Sequence, residues 1–244
     1  MYRSAYPWVM LASIATGALL YRRSRSALGL TARERLAIGV GAFCGAMIGA
    51  KAPFVLADWH GLLSGSAWFE NGKTIVFGIV GGYFGVETAK RIFDIRVKTG
   101  DSFAVPVAVA VAIGRLACFC GGCCYGVAAK LPWSCDFGDG IRRHPTQLYE
   151  CIFHLVAAAA LARLQSRGVL RGQLIKLYIL SYLVYRFITE FIRPEPVLAL
   201  SLTAYQWGCL ALIPAFVYLW ARDAAKFAAG NHNINDRFTM TREP

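Results

Sequence analysis

The chain has 244 residues, of which 57% are hydrophobic and only 16% are charged. Soluble domains usually carry about 25% charged residues, so this composition argues against an ordinary soluble protein. The formal net charge of +12 would suit a nucleic-acid ligand. The basic residues, however, lie between apolar blocks, and this distribution indicates membrane topology rather than nucleic-acid binding.

Seven apolar blocks, each about 15–22 residues long, have the length needed to cross a bilayer as a helix. In chain order they are Tyr6–Tyr21, Leu36–Ala57, Thr74–Thr88, Phe103–Cys118, Leu148–Leu164, Leu174–Ile192 and Leu200–Ala221. A soluble core would have to hide seven such helices in a chain too small to wrap them. We therefore predict an all-α, polytopic membrane helix bundle with one transmembrane domain over residues 1–222, followed by a polar tail over 223–244.

Arginine and lysine residues are concentrated after the first, third, fifth and seventh spans and are sparse after the others. The densest cluster is Arg22, Arg23, Arg25, Arg33 and Arg35. Because cytoplasmic loops carry an excess of positive charge, this alternation predicts that the N-terminus lies outside and the tail lies in the cytoplasm.

The segment from Gly114 to Gly126 places Arg115 at the end of the fourth apolar block. A charged side chain at that depth costs several kcal/mol unless something holds it, so it indicates a functional site. Four cysteines follow within the same segment: Cys118, Cys120, Cys123 and Cys124. From the residues alone, they could be nucleophiles, metal ligands, disulfide partners or small core residues.

The sixth span carries polar residues at helical spacing. Its polar residues recur at steps of four, four and three: Tyr182, Arg186, Glu190 and Arg193. This spacing places them on one helical face, where Arg186 and Glu190 can pair. Such a face is expected to point into the bundle, either as a functional site or as an ion pair that fixes helix packing.

The fifth span opens on a second polar stretch. Gln147, Glu150 and His154 share one helical face. The stretch is either a capped helix start with a satisfied polar stripe, or it presents His144, Gln147 and Glu150 to a site at the outer membrane face. His154 is expected to be a core histidine.

Two other spans contain features of interest. Lys51 and Glu87 are ionisable residues inside apolar spans, and we expect them to pair with each other. The glycine-rich run Gly78–Gly85 favours close helix packing, with the approach of a lipid chain as the alternative.

Three motifs together resemble the prolipoprotein diacylglyceryl transferase family, in that family's order and over roughly residues 36–220. They are Gly114-Arg115 with Gly122 and Gly126, then Arg143-His144-Pro145-Thr146-Gln147-Leu148-Tyr149-Glu150, then Tyr182-x3-Arg186-Phe187-x2-Glu190-Phe191-x-Arg193. The resemblance implies a multi-pass transferase of the bacterial inner membrane, active in lipoprotein biosynthesis. Such enzymes move a diacylglyceryl group from phosphatidylglycerol to the thiol of a lipobox cysteine in a preprotein, releasing glycerol phosphate. We expect no cofactor and no metal.

The resemblance also assigns roles to residues of this chain. Arg115 and Arg186 would hold the phosphate, with Tyr182 and Glu190 orienting them. The predicted catalytic residues are Arg115, Arg186, Glu190, Cys123, Cys118 and His144. The predicted substrate-binding residues are Tyr182, Gln147, Glu150, Arg193 and Gly122.

The chain departs from the family pattern in two places. Where the family has Gly-Asn-Phe-x-Asn-Gly-Glu, this chain has Ala-Cys-Phe-Cys-Gly-Gly-Cys, so that Cys123 stands at the position of the acid. The family's His-Gly-Gly stretch corresponds best to Phe77–Gly82, which contains no histidine. The residues that could accept a proton from an incoming thiol are therefore changed.

Three hypotheses follow from these departures. In the first, a cysteine takes part in lipid group transfer. In the second, the protein is a divergent thiol-redox or metal-handling membrane protein that uses Cys118, Cys120, Cys123 and Cys124, with a disulfide inside the cluster or to Cys135 as the simplest version. No standard zinc-ligand spacing is matched. In the third, the protein binds or transports lipid without chemistry.

Overall fold

The computed structural model describes residues 3–68, 72 and 74–240. Its helices are α1 (Tyr6–Arg25), α2 (Ala32–Ala57), α3 (Trp59–Ser64), α4 (Ile75–Ile92), α5 (Gly100–Gly121), α6 (Thr146–Ser166), α7 (Leu174–Thr189) and α8 (Ala204–Met240). A small antiparallel hairpin pairs β1 (Cys135–Asp136) with β2 (Arg142–Arg143) in the α5–α6 connection. Each predicted span coincides with one long helix, and the all-α class is confirmed apart from this hairpin.

Four helices are long and apolar enough to cross a membrane, within the part of the chain that the structure describes. They comprise Ala32–Leu56, Gly100–Gly121, Thr146–Ser166 and Ala204–Ala225. The count of seven crossings and their orientation stay predictions. The last helix continues to Met240, so much of the predicted tail is helical, and residues 241–244 of that tail lie outside the described part.

Local sequence signals set helix ends that matter for the site. Helix α2 starts after Thr31, which exchanges side-chain and backbone hydrogen bonds with Glu34 in a capping box. Helix α5 is capped by Gly122, the residue after its last one, which adopts a left-handed conformation with φ of 69°. A side chain there would be strained, so the glycine turns the chain sharply just after the predicted site helix.

Helices α2 and α4 cross at very close range because glycines face each other along the contact. A methyl group added at Gly41 would lie 2.6 Å from the carbonyl oxygen of Gly85, and Gly45 meets Gly81 in the same way. Small residues allow membrane helices to approach until their backbones touch. The packing role predicted for the run Gly78–Gly85 is confirmed.

The register of this contact overturns one expectation. The amide of Thr74, at the start of α4, donates to the carbonyl of Ala50 at 2.9 Å. Lys51 therefore lies beside the first turn of α4, while Glu87 lies near its other end and pairs with Lys90 at 2.9 Å. The predicted pairing of Lys51 with Glu87 is wrong, because the two helices run antiparallel.

Helix α7 lies at the centre of the largest hydrophobic core cluster. Tyr178, Ile179, Tyr182 and Leu183 are each at most 2% exposed, and they pack with residues of α4, α5, α6 and α8. A helix that is buried on most sides can carry polar groups only where other helices satisfy them. Helix α7 therefore presents Tyr182 and Arg186 to polar partners on its neighbours.

The glycine contact yields a stability test. We expect Gly41→Ala to lower the free energy of unfolding in micelles by about 1–3 kcal/mol, because its new methyl group meets backbone that cannot move aside. Gly39→Ala is the matched control on the same helix, since a methyl group there has no neighbour within 4 Å. Equal losses in both variants would contradict the interface.

Candidate active site

The centre of the site is the carboxylate of Glu150 on α6. Arg115 Nη2 on α5 lies 2.5 Å from its Oε2. The hydroxyl of Tyr182 on α7 donates to its Oε1. All three residues are at most 6% exposed, so one carboxylate joins three helices inside the bundle. A buried charge is tolerated when it is paired and hydrogen-bonded in this way.

His154 follows Glu150 by one helical turn on α6. Its Nε2 is 3.8 Å from Glu150 Oε1, and its Nδ1 shares a 2.9 Å hydrogen bond with the hydroxyl of Tyr178. The ring is fully buried. The prediction of a core histidine is confirmed, and so is the shared face of Gln147, Glu150 and His154.

A second buried ion pair stands beside the first. Arg186 Nη2 lies 2.7 Å from Glu190 Oε2, as the helical spacing predicts. The hydroxyl of Thr203 donates to the other oxygen of Glu190 at 3.0 Å, and Arg186 lies over the ring of Tyr205 at 5.0 Å. Glu190 itself is only 1% exposed.

Sequence reasoning missed Thr203, Tyr205 and Gln206. Thr203 and Gln206 form a reciprocal capping box at the start of α8, with bonds of 2.9 Å and 3.3 Å. The pattern Thr-x-x-Gln before an apolar run is a known helix-start signal and could have located them. The contact of Thr203 with Glu190 depends on tertiary packing and has no local signal.

The loop after α5 is tied to the site by hydrogen bonds to its carbonyl groups. Gln147 Nε2 donates to the carbonyl of Cys123 at 2.5 Å. The hydroxyl of Thr146 and Nη1 of Arg193 both donate to the carbonyl of Cys124, at 2.7 Å and 3.2 Å. Gln147 and Arg193 therefore hold residues 118–124 in place. We call this segment the cysteine turn.

All eight cysteines are free thiols, so the hypothetical disulfides are not formed. The sulfur atoms of Cys118, Cys123 and Cys124 lie within 4.8 Å of one another, and Cys120 and Cys135 are not part of this cluster. Hydrogen bonds from the two neighbouring thiols, together with the charges of Arg115 and Arg193, hold the pKa of Cys124 below its usual range.

His144 and Gly122 lie at the margin of this arrangement. His144 Nδ1 is 3.3 Å from the hydroxyl of Tyr149, which accepts a bond from Trp133 Nε1 at 2.7 Å. A methyl group added at Gly126 would meet Cβ of His144 at 2.8 Å, so His144 packs against the end of the cysteine turn. The observed contribution of Gly122 is the left-handed turn that ends α5.

Several buried donors have no partner among the described residues. Nε of Arg115 and Nε of Arg193 both lack a hydrogen-bond partner there. Arg115 pairs with Glu150 and Arg186 with Glu190, whereas Nη2 of Arg193 lies 3.8 Å from Oε1 of Glu195. Unmatched guanidinium donors in a low-dielectric site favour the binding of an anion.

An apolar cavity of about 680 Å³ lies between α1, α2, α4 and α5. Its walls include Gly78 and Gly82 of the glycine run and Phe103, Pro106 and Ala110 of the site helix. Gly81 and Gly85 make the tight helix contact on another face of α4, and the approach of a lipid chain to the glycine run stays a prediction. The cavity walls suit hydrocarbon chains.

These features define a multi-pass helical membrane protein with a buried arginine–carboxylate centre beside an apolar cavity. The chain belongs to the prolipoprotein diacylglyceryl transferase family, whose sequence model matches residues 4–222. The predicted family and transferase class are thereby confirmed.

Individual relatives support the same family assignment. A phosphatidylglycerol–prolipoprotein diacylglyceryl transferase of Clostridium tetani is 30% identical over 199 residues, covering 77% of this chain and 79% of the relative. The enzyme of that name from Clostridioides difficile is 28% identical over 223 residues, covering 88% and 90%. The one from Methylobacillus flagellatus is 36% identical over 152 residues, covering 57% and 58%. These relatives do not favour a redox or metal-handling protein that lacks transferase activity.

The central ion pair can be tested by its effect on stability. We expect Glu150→Gln to lower the free energy of unfolding in micelles by about 3–5 kcal/mol, because it leaves the buried Arg115 charge without its counter-ion. Glu87→Gln, which breaks a half-exposed pair with Lys90, serves as the control and is expected to cost at most about 1 kcal/mol. Similar losses in both variants would contradict a buried, energetically coupled centre.

Proposed function

We propose that this protein transfers a diacylglyceryl group from phosphatidylglycerol to the cysteine thiol of a lipobox-bearing preprotein at the outer face of the bacterial inner membrane. The observation that carries this proposal is Arg115, which is buried and held by Glu150, and whose Nε donor has no partner within the described part of the chain. Membership of the family and the names of the relatives support the same reaction.

In this proposal, Arg115 and Arg186 bind the phosphodiester of the lipid. As the bond to the diacylglyceryl carbon breaks, negative charge builds up on the departing glycerol phosphate. Guanidinium groups that are already positioned in a low-dielectric site stabilise such charge without reorganising. Arg193, whose Nε likewise meets no acceptor among the described residues, would bind the same headgroup from the side of the cysteine turn.

The carboxylates orient these arginines. Glu150, fixed by Tyr182, sets the direction of Arg115, and Glu190, fixed by Thr203, sets that of Arg186. Each carboxylate is engaged on both oxygens, which restricts the rotation of its guanidinium partner. Fixed orientation matters because a misplaced donor loses much of its effect on the transition state.

The apolar cavity provides a place for the fatty acyl chains of the donor lipid. It lies along α5 on the side of Ala110, within two helical turns of Arg115. Two acyl chains in or near this cavity would leave the phosphate at the level of the arginines. The hydrophobic tails thus contribute affinity and the arginines contribute position.

The acceptor thiol would approach from the exposed cysteine turn. Cys123 and Cys124 are exposed, and the buried Gln147 donates a hydrogen bond to the carbonyl of Cys123. The thiol must lose its proton before it can attack. His144, oriented through Nδ1 by Tyr149, is the proposed acceptor of that proton. Cys118 and Cys123 would line the path of the incoming thiol, and Gly122 would allow its close approach.

Complementation tests this function directly. We expect the chain to restore lipoprotein modification and growth in a bacterium depleted of its own transferase. Arg115→Lys should reduce the initial rate of transfer in membranes from such cells by about 10²–10³-fold, because a single ammonium cannot replace the positioned guanidinium fork.

The control for this experiment is Arg96→Lys, which alters an exposed arginine whose side chain is 88% accessible. This variant should transfer at the wild-type rate. A well-expressed wild-type chain that fails to rescue, or an Arg115→Lys variant as active as the control, would contradict the proposed function.

A further inference from the structure

The cysteine turn brings together three sulfur atoms that the spacing in the sequence does not mark as a metal site. Cys118 lies in the last turn of α5, and Cys123 and Cys124 follow the left-handed Gly122. Because the chain reverses at Gly122, the amide of Cys123 donates back to the carbonyl of Cys118 at 3.2 Å. The three sulfur atoms thus lie within 4.8 Å of one another.

Their spacing suits the coordination of one soft metal ion. Zinc–thiolate bonds of about 2.3 Å in a tetrahedral site place sulfur atoms about 3.8 Å apart. Sites made only of sulfur donors select soft or borderline ions such as zinc rather than magnesium or calcium. Three protein ligands, instead of four, are typical of zinc sites that keep one position open for water or substrate.

We propose that Cys118, Cys123 and Cys124 bind one Zn²⁺ ion whose open fourth position takes the thiol of the acceptor cysteine. This inference rests on the proposed function and gives it a means of activating the acceptor. A thiol bound to zinc is deprotonated outright, so the ion would present a thiolate to the donor lipid.

The two buried carboxylates of the site are not available to activate the acceptor thiol. Both buried carboxylates of the site are already committed, Glu150 to Arg115 and Tyr182 and Glu190 to Arg186 and Thr203. Each of these carboxylates holds an arginine on one oxygen and a hydroxyl on the other, so neither oxygen is left free to take a proton from a thiol. The centre can therefore bind an anionic headgroup, but among the residues that the structure describes it offers no free carboxylate oxygen to activate a thiol.

The cysteine cluster lies beside the arginines that are proposed to bind the phosphate. Cys118 follows Arg115 by one helical turn on α5, and Arg193 donates to the carbonyl of Cys124. The proposed zinc site and the proposed phosphate site therefore lie next to each other. The positive charges of Arg115 and Arg193 also offset the excess negative charge of three thiolates around a divalent ion.

A buried glutamine that contacts the cysteine turn has an acceptor oxygen that can take one more hydrogen bond. Gln147 is fully buried, and its Nε2 donates to the carbonyl of Cys123. Its Oε1 has no hydrogen-bond partner among the residues that the structure describes. A bound water or the backbone amide of an acceptor peptide would satisfy this oxygen.

The acceptor thiol binds zinc and releases its proton, which passes to His144 or to solvent. The thiolate sulfur then forms a bond to the diacylglyceryl carbon while the bond between that carbon and the phosphate oxygen breaks. The electron pair of the broken bond stays on the departing glycerol phosphate, and no oxidant or reductant is consumed. The thioether product is a weaker ligand than a thiolate and can leave the ion.

Metal content is the first test. The full chain, purified in nanodiscs under a reducing atmosphere, is expected to hold about one Zn²⁺ per chain, as structural and catalytic zinc sites do. Cys118→Ser and Cys123→Ser should reduce the content to background, whereas Cys135→Ser, outside the cluster, should retain it. Wild-type protein that takes up no zinc after reduction, or cluster variants that retain it, would overturn the proposal.

Cobalt substitution tests the open position without relying on turnover. Co²⁺ in the site should show a thiolate charge-transfer band, and a lipobox peptide should raise its intensity by about one third as a fourth thiolate joins three. A peptide with serine in place of cysteine should leave the band unchanged. If the cysteine peptide also leaves the band unchanged, the acceptor does not bind the metal and the proposal is wrong.

A chelator-stripped sample of wild-type protein separates this inference from the proposed function and avoids any folding defect of the variants. Transfer activity should be lost on stripping and restored by added Zn²⁺. Full activity without metal would overturn the zinc proposal and leave the proposed function intact. Zinc and peptide binding without any transfer would instead contradict the proposed function.

Discussion

The buried pair of Arg115 and Glu150 is the interaction on which the arrangement of the site depends. Moving two charges out of water is so costly that the pair survives only with good geometry and further hydrogen bonds. Tyr182 supplies one of these bonds, and Arg186 lies close enough to act on the same carboxylate. Helices α5, α6 and α7 must therefore pack in one register, since any other would leave a charge unpaired.

That register explains which contacts could be predicted from the sequence. Arg186 and Glu190 lie four residues apart on one helical stretch, so their pairing follows from helical spacing alone. The partners of Arg115 come from other helices, and spacing within α5 says nothing about them. Lys51 shows the same limit, because its expected partner Glu87 lies at the opposite end of the α2–α4 contact.

The cysteine turn shows how a local conformation can bring side chains together in a way that sequence reasoning does not reveal. Spacing between Cys118 and Cys123 matches no standard zinc pattern. The left-handed turn at Gly122 folds the chain back on the end of α5, and side chains from α6 and the segment after α7 hold it there. Three cysteines that are separated in the sequence, Cys118, Cys123 and Cys124, thus form one cluster.

Taken together, the site has a buried part with paired arginines and carboxylates, which we propose binds an anion, and an exposed part that carries thiols. Both parts are consistent with a reaction between a membrane lipid and an incoming protein thiol. The most direct measurement uses the purified chain in nanodiscs of phosphatidylglycerol with a synthetic lipobox peptide, followed by mass spectrometry. We predict a peptide carrying one diacylglyceryl thioether and an equal amount of released glycerol phosphate. An unmodified peptide, or modification without release of glycerol phosphate, would contradict this account.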